Sequence, residues 1–437
     1  MHLFSIPQAF EHSAFKTPFT VNSVHRNCAN ICLHICYPLS RMQPNLVVLF
    51  LSLFLGIQPI TTDLYLPALP AITEGFGASM GQAQLTLTAL LLAFGTSQLV
   101  WGPLSDRFGR RPVLMAGLAA YTAAAIGSMF ASSMEQLIAW RAVQGVAMGA
   151  VVMCARAMTR DLYAPVDGAR VMSKGLSGLG VIACLSAPLG GLLTDWLGWR
   201  AAMAMLSVFG VATLLITCWK FKETIHTRNL QALQPATLLR TWSMIVRHPT
   251  FWAYALLSVT SYAGLFTFLA TSSFVFIKVL GLSKTQYGLV MAVMSLSYIT
   301  GTFMCRRLLV RYGVLRTVWL GGWFTAVAGV LLAGLAYAQI VSVAAVLLPF
   351  CIFMLGHGVH QSCGQSGAVG PFPQAAGAAS ALSGFLMMLC AFAMGGWIGS
   401  HIDGTVKPLA YGVAFWAVWI VLTAWVLVQR YGQQPAH

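Results

Sequence analysis

Twelve apolar stretches, each long enough to cross a bilayer, restrict what this chain can fold into more than any other feature. A membrane helix needs about 20 mainly apolar residues, because the hydrocarbon core is about 30 Å thick. Backbone polar groups must also be satisfied inside the membrane, which favours helices. We therefore predict an all-α integral membrane protein of twelve transmembrane helices. Spans 1 to 12 are predicted at residues 46–66, 82–103, 112–131, 136–155, 174–194, 199–219, 252–275, 285–305, 314–337, 340–362, 378–399 and 408–428.

A polar, basic segment separates these spans into two sets of six. We predict an N-terminal six-helix half over residues 42–220, a cytoplasmic linker without a fold of its own over 221–249, and a C-terminal six-helix half over 250–437. Arg311-Tyr-Gly313 repeats Arg107-Phe-Gly109 at the corresponding turn, between spans 8 and 9. This repeat indicates that the two halves are pseudo-symmetric, as is common in transporters.

Residues 1–41 differ from the rest of the chain, because they are polar and lack the apolar core of an ordinary secretory signal. We predict either an over-extended start, with Met42 as the true initiator, or a disordered N-terminal extension. A metal cluster is the less favoured reading of His25, Cys28, Cys32 and Cys36. We expect no metal site in the protein.

The net charge of +15 comes from the segments between spans rather than from the spans themselves. Sixteen Lys and Arg residues fall between spans 2 and 3, 4 and 5, 6 and 7, and 8 and 9. The opposite side holds only Arg200, Lys278, Lys284 and Lys407. Because cytoplasmic loops collect basic residues, this asymmetry predicts that both termini lie in the cytoplasm. The basic charge therefore indicates orientation, not a nucleic-acid partner.

The turn between spans 2 and 3 concentrates charge in a chain with only 8% charged residues. It reads Gly102-Pro-Leu-Ser-Asp106-Arg107-Phe-Gly109-Arg110-Arg111-Pro-Val113. The glycines allow backbones to approach closely. Asp106 can pair with the arginines, or with a neighbouring helix end, in one conformation only. We therefore predict a short, charged hairpin whose contacts depend on conformation.

Span 1 carries an acidic residue, Asp63, within apolar sequence. Carboxylates inside membrane spans are unfavourable and usually mark a transport pathway or a proton relay. The alternative is a hydrated carboxylate at the outer helix end. At about 1.5 Å per residue, Arg141 of span 4 lies at a similar depth. We predict that the two side chains meet directly or through water, so that movement of Arg141 would switch Asp63 between its protonated and ionised forms.

Spans 5 and 10 carry further residues of interest. In span 5, Pro188 follows Ala183-x-x-x-Ala187 and predicts a kink beside small residues that permit close packing. In span 10, His357 and His360 are three residues apart and are predicted to share a face. We interpret these histidines as polar lining near the inner mouth of a pathway. Assistance of proton movement by a histidine stays open.

These motifs resemble the major facilitator superfamily. The charged turn matches G-x-L-x-D-R-x-G-R-R, and Arg141-Ala-Val-Gln144-Gly145 resembles the R-x-x-Q-G motif that is tied to proton coupling in that family. Thr62–Pro70 and the run Pro371–Gly384 resemble the bicyclomycin- and chloramphenicol-resistance (Bcr/CflA-like) branch of bacterial drug:proton antiporters. The resemblance covers about residues 45–430. Span 5 departs from the family's G-x-x-x-G-P-x-x-G-G pattern, since alanines replace the first two glycines, and this weakens the argument for export over import.

The resemblance implies a proton-coupled efflux transporter, not an enzyme, that exports drugs and other small toxic compounds by alternating access. An exporter of a single metabolite, such as an amino acid or a sugar, is the alternative, and a polytopic membrane enzyme is a further one. The expected location is the bacterial cytoplasmic (inner) membrane. Expected partners are small-molecule drugs, protons and the lipid bilayer, with no nucleic acid. We expect a monomer that uses the proton gradient and no cofactor.

The same resemblance implies the roles of individual residues. Asp63 is expected to exchange the proton, with Arg141 as its partner. The charged turn is expected to act as a gate through Gly102, Asp106, Arg107, Gly109, Arg110 and Arg111. From their positions along the spans, the side chains expected to line the substrate cavity are Tyr65, Gln98, Gln144, Pro188, Tyr262, Phe266, Tyr298 and His357.

Overall fold

The computed structural model describes residues 42–163, 165–225, 234–401 and 403–432. The segment 1–41, predicted to be an extension or an over-extended start, lies outside these residues. Every regular element within the described ranges is helical, which confirms the predicted all-α class.

The helices of the first six spans follow the predicted apolar runs. Span 1 is interrupted and consists of Pro44–Asp63, a short 3-10 helix at Leu66–Ala68, and Leu69–Phe76. Spans 2 to 6 are Met80–Phe108, Arg110–Met129, Met134–Leu162, Pro165–Leu197 and Trp199–Lys220.

The remaining spans include two short π-helical segments. Span 7 is Pro249–Phe274 and continues as a π-helix over Val275–Val279. Spans 8 and 9 lie within Lys284–Tyr337, and span 10 is Val343–Val369. Span 11 is Ala376–His401, preceded by a 3-10 helix at Pro373–Ala375. Span 12 is Lys407–Leu422, followed by a π-helix at Thr423–Leu427 and by Val428–Tyr431.

Within the described residues, eleven helices are long and apolar enough to cross a membrane, and one of them crosses twice. Lys284–Tyr337 has 54 residues and would be about 81 Å long at 1.5 Å per residue. That length greatly exceeds the roughly 30 Å hydrocarbon core. Its backbone leaves the helical region at Gly313, with φ 72° and ψ 177°. The twelve predicted spans are therefore confirmed.

The turn between spans 2 and 3 is much tighter than the predicted hairpin. The helix of span 2 continues through Phe108 and that of span 3 begins at Arg110, so Gly109 alone separates them. Gly109 has φ 104°, a value that residues with a Cβ rarely adopt. Gly313 has φ 72° between spans 8 and 9, so the sequence repeat has a backbone counterpart.

We call the end of the bundle that carries Arg107, Arg110 and Arg111 the basic end, and the other end the opposite end. At the opposite end, four spans begin with the same signal, a serine whose hydroxyl accepts the backbone N–H of the residue three positions later. Such N-caps satisfy an otherwise unpaired helix donor. These serines are Ser79, Ser133, Ser283 and Ser342.

The predicted linker contains a helix that the sequence analysis missed. Pro235–Val246 begins with proline at its first position, where the missing N–H is harmless. Ile245 is fully buried whereas Leu239 is 62% exposed, so only one face of this helix packs against the bundle. Part of the predicted linker is therefore helical. The predicted division at 42–220, 221–249 and 250–437 stays a prediction.

Candidate functional site

The interruption of span 1 places Asp63 at the end of its first helical segment. Pro67 and Pro70 have no N–H, so the carbonyls of Asp63 and Leu66 receive no helical hydrogen bond from them. Asp63 is half-buried, and its Oδ1 accepts a hydrogen bond from Thr62 Oγ1 at 2.8 Å. The carboxyl thus retains accessible surface although it lies well inside the span.

The Asp63 side chain lies near residues of both halves. It interacts electrostatically with Tyr262 of span 7, with Tyr287 of span 8 and with Cys184 of span 5. On the first half, Gly190 of span 5 packs directly against the carbonyl oxygen of Leu64, where any Cβ would overlap the backbone. The break in span 1 is therefore held between spans 5, 7 and 8.

Arg141 is fully buried and bonds to the backbone beside the break. Its Nη2 donates to the carbonyl oxygen of Thr61 at 3.2 Å, and its Nη1 donates to Gln144 Oε1 at 2.9 Å. Carbonyls in the last turn of a helix lack an intrahelical partner, which leaves that of Thr61 available. The guanidinium also lies 3.9 Å from the centre of the Tyr65 ring, a cation–π contact.

The predicted direct contact between Asp63 and Arg141 is not formed. Among the ion pairs within 4.0 Å in the described part of the chain, none joins these two residues. Side chains two positions apart on a helix point in nearly opposite directions, because each residue turns the helix by about 100°. Arg141 lies on the side of Thr61 and Tyr65, so the carboxyl of Asp63 points away from it.

Buried hydroxyls extend the Arg141 cluster across the first four spans. Tyr121 Oη lies 2.7 Å from Thr61 Oγ1, and Tyr65 Oη lies 2.5 Å from Thr86 Oγ1. Gly145, which ends the R-x-x-Q-G match, packs against the backbone of Leu90 in span 2 so closely that a Cβ would overlap its carbonyl oxygen. The motif therefore combines a buried cation with the close helix contact that positions it.

At the basic end, Arg110 is compensated by acidic groups from three segments. Its Nη1 donates to Asp106 Oδ1 at 2.5 Å and its Nε donates to Asp161 Oδ2 at 2.9 Å. Glu223 accepts the backbone N–H groups of Arg110 at 2.9 Å and Arg111 at 3.1 Å. A carboxylate at a helix N-terminus is favourable because the free N–H groups are positively polarised.

The gate residues thus come together only in part. Gly102 lies on the span 2 helix, with 3.5 Å between a Cβ built there and the Met153 side chain. Arg107 is exposed and lies over the Phe108 ring. Asp161 and Glu223 were missed as site residues, because nothing in their local sequence shows that they approach Arg110 from 51 and 113 positions away.

The predicted cavity residues separate into buried and partly accessible groups. Tyr65, Gln144 and Phe266 are fully buried, Gln98 is 2% exposed, and Tyr262 is 8% exposed. Tyr65, Gln144 and Phe266 therefore line no open cavity in this conformation, which corrects that expectation. Pro188 and Tyr298 are half-buried.

His357 lies near the middle of span 10 rather than near its inner end. Its Nδ1 is 2.8 Å from Ser261 Oγ of span 7, and its ring centre is 5.5 Å from that of Tyr298. His360 instead packs against Gly321 of span 9. The two histidines therefore contact different spans, and the expectation of a shared lining face was wrong.

The opposite end joins spans from the two halves. Asp195, at the end of span 5, accepts the Thr285 backbone N–H at 2.8 Å and its hydroxyl at 2.7 Å. Lys284 Nζ lies 3.6 Å from the same carboxylate. Glu74 and Lys278 form an ion pair between the ends of spans 1 and 7. These contacts hold the first and second halves together at this end.

The chain is similar in sequence to several curated resistance proteins. It is 30% identical over 337 residues to a chloramphenicol resistance protein of Pseudomonas aeruginosa, covering 77% of this chain and 79% of that protein. It is 31% identical to the multidrug resistance protein D of Escherichia coli K12, covering 78% and 85%. It is 26% identical to a bicyclomycin resistance protein homolog of Haemophilus influenzae, covering 88% and 96%.

The fold is similar to that of a solved D-xylose–proton symporter, with a TM-score of 0.69 and 17% identity over 89% of this chain and 99% of that one. Residues 49–396 also match the family model described as Major Facilitator Superfamily. These relatives agree with the Bcr/CflA-like branch predicted from the motifs. The chain therefore belongs to the Major Facilitator Superfamily and is a multi-span membrane transporter rather than an enzyme.

Proposed function

We propose that this transporter exports drugs and other small toxic compounds across the bacterial inner membrane, driven by inward movement of protons. Three related proteins are named for resistance to chloramphenicol, to several drugs and to bicyclomycin, which supports export of such compounds. The observation that carries proton coupling is the position of Asp63.

Asp63 is the one acidic residue of the described chain that lies far from both ends of its span. It is 13 positions before Phe76 and 19 after Pro44, whereas the other acidic residues of the spans lie in their first or last turn. Because it is half-buried and lies near spans 5, 7 and 8, it can exchange a proton with water that enters between the halves. No cofactor is needed for this step.

The coupling we propose runs through the backbone rather than through an Asp63–Arg141 ion pair. Arg141 binds the carbonyl of Thr61 and stacks on Tyr65, so it holds the chain on both sides of Asp63. A change in the charge of Asp63 alters its preference for water or for spans 7 and 8. The break then rotates, and the contacts of Arg141 change with it. Arg141 is thus a positioning residue.

Alternating access requires that the two ends open in turn. Asp195, Lys284, Glu74 and Lys278 would close the opposite end, which the charge distribution predicts to face the outside. The Arg110 network would stabilise the first half at the cytoplasmic side. Protonation of Asp63 from the outside and release to the cytoplasm would favour these states in alternation.

Accumulation of chloramphenicol in everted vesicles, with and without a proton gradient, tests the proposal. Vesicles that contain the protein should accumulate more drug than empty vesicles, and collapse of the gradient should abolish the difference. Equal accumulation in vesicles with and without the protein would contradict drug export. Susceptibility profiling separates the metabolite exporter, because protection against several unrelated compounds supports drug export and protection against none supports a single metabolite.

A further inference from the structure

Two arginines of span 4 face span 11 at the basic end. Arg156 and Arg160 are four residues apart and so lie on the same side of the helix. Arg156 Nη1 donates to Ser380 Oγ at 3.2 Å. A Cβ built on Gly377, in the first turn of span 11, would stand 3.0 Å from Arg160 Nη1. We call Arg156, Arg160, Gly377 and Ser380 the arginine cleft.

The positive charge of the arginine cleft is not balanced by the described chain. No Asp or Glu within residues 42–163, 165–225, 234–401 and 403–432 lies within 4.0 Å of either guanidinium. Asp161, beside Arg160, is occupied by Arg110 and by the Thr224 hydroxyl. The two arginines repel each other. The N-terminus of span 11 adds free N–H groups of positive polarity rather than a counter-charge.

This imbalance is local, because the neighbouring cation is fully compensated. Arg110, at the same end of the bundle, binds two carboxylates directly, and a third caps its helix. Arg160 is exposed to solvent, whereas Arg156 is half-buried, and a half-buried guanidinium is unfavourable unless it is paired. The cleft therefore holds a charge that an anion from outside the chain would satisfy.

Two buried polar groups lie further along span 11 and on span 2, which packs against it. Ser383 on span 11 is only 3% exposed, and its Oγ has no hydrogen-bond partner among the described residues. Gln98 Oε1 of span 2 likewise has none, and it lies 3.0 Å from a Cβ built on the adjacent Gly384. Buried polar atoms are normally hydrogen-bonded. Both atoms would be satisfied by a polar group that enters between spans 2 and 11.

We infer that the arginine cleft binds an oxyanion, the carboxylate or phosphate group of an exported compound or of a membrane lipid. Paired guanidinium groups suit such groups because each presents several N–H donors in one plane. The inference rests on the export function proposed above when the oxyanion belongs to a substrate. The compounds accepted would then include organic acids with an apolar body.

Binding of a matched pair of probes to the purified full chain tests this inference. The probes are 1-pyrenebutyrate, an aromatic carboxylate, and its uncharged methyl ester, measured by fluorescence anisotropy in phosphatidylcholine nanodiscs. Arg156→Gln should weaken carboxylate binding about tenfold or more, as expected for loss of a charged hydrogen bond. It should leave ester binding unchanged. Arg156→Lys should retain most of the affinity, and the exposed Arg307→Gln at the same end should change neither probe.

Nanodiscs that contain phosphatidylglycerol identify the source of the oxyanion. If phosphatidylglycerol weakens carboxylate binding by wild type, relative to phosphatidylcholine nanodiscs, but does not weaken binding by Arg156→Gln, a lipid headgroup occupies the cleft. If wild-type binding is the same in both kinds of nanodisc, the oxyanion belongs to a substrate. Equal loss of both probes in Arg156→Gln would instead assign Arg156 to helix packing and overturn the inference, as would a wild type that does not distinguish the probes. Because binding needs no gradient, intact carboxylate binding without export would count against the proposed function alone.

Discussion

Replacement of Gly145 by alanine is expected to separate spans 2 and 4 and to destabilise the protein. A Cβ at position 145 would overlap the carbonyl oxygen of Leu90 and would also approach the backbone of Phe94. These atoms belong to the backbone, so no side chain can rotate away. The two helices must move apart by roughly 1 Å to restore ordinary contact distances.

The size of the effect follows from two opposed terms. Over-packing of a close contact costs about 1–3 kcal/mol. Alanine recovers up to about 1 kcal/mol, because the unfolded chain has less conformational freedom at alanine than at glycine and so loses less on folding. We therefore expect Gly145→Ala to lower the free energy of unfolding by about 1–2 kcal/mol. Arg141, one turn earlier in the same helix, should lose part of its contact with Thr61.

Gly334→Ala is the matched control, since the same exchange on the span 9 helix meets no atom within 4 Å. It should be neutral or stabilising. Thermal unfolding of the two detergent-purified variants, followed by tryptophan fluorescence, measures the difference. If Gly145→Ala melts at or above the temperature of Gly334→Ala, the close contact between spans 2 and 4 does not exist as described.

Three further substitutions test other contacts. Glu223→Gln removes the charge at the start of span 3 and should destabilise the protein by about 1 kcal/mol in thermal unfolding; an unchanged midpoint would show that the carboxylate does not cap that helix. Asp195→Asn should weaken the contact with Thr285 at the opposite end. Distances between spin labels at the ends of spans 5 and 8 should then shift towards longer values. An unaltered distance distribution would contradict a closure at this end. Arg141→Lys replaces the two Nη groups that bond Gln144 and Thr61 by a single amine, so we expect one buried acceptor to be left unpaired at a cost of about 1–3 kcal/mol. Loss of transport at wild-type stability would argue that Arg141 acts on the proton directly.

The fold was predictable because membrane thickness sets the length of each apolar run. Twelve spans and their approximate limits follow from that length alone. The helical continuation of span 2 through Asp106 and Arg107 was harder to predict, because charged residues usually mark loops. In this chain Arg110 compensates Asp106 across the turn, and Gly109 alone provides the positive φ that reverses the chain.

The depth of the candidate site residues in the membrane was predictable from the sequence, but the directions of their side chains were not. Residue counting places Asp63 and Arg141 at similar depth, yet direction around the helix depends on where the helix ends. The end at Asp63 frees the Thr61 carbonyl, and Arg141 takes it. Contacts over long sequence separations, such as that between Glu223 and Arg110, leave no local pattern to recognise.

Proton movement caused by substrate tests the central claim most directly. Everted vesicles are energised, their internal pH is followed with an acridine dye, and chloramphenicol is added. Wild type and Glu135→Gln, which changes an exposed acid in the first turn of span 4, should release protons from the vesicles. Asp63→Asn should bind the drug but release none. Drug-dependent proton release by Asp63→Asn at the wild-type rate would contradict the assignment of Asp63 as the proton site.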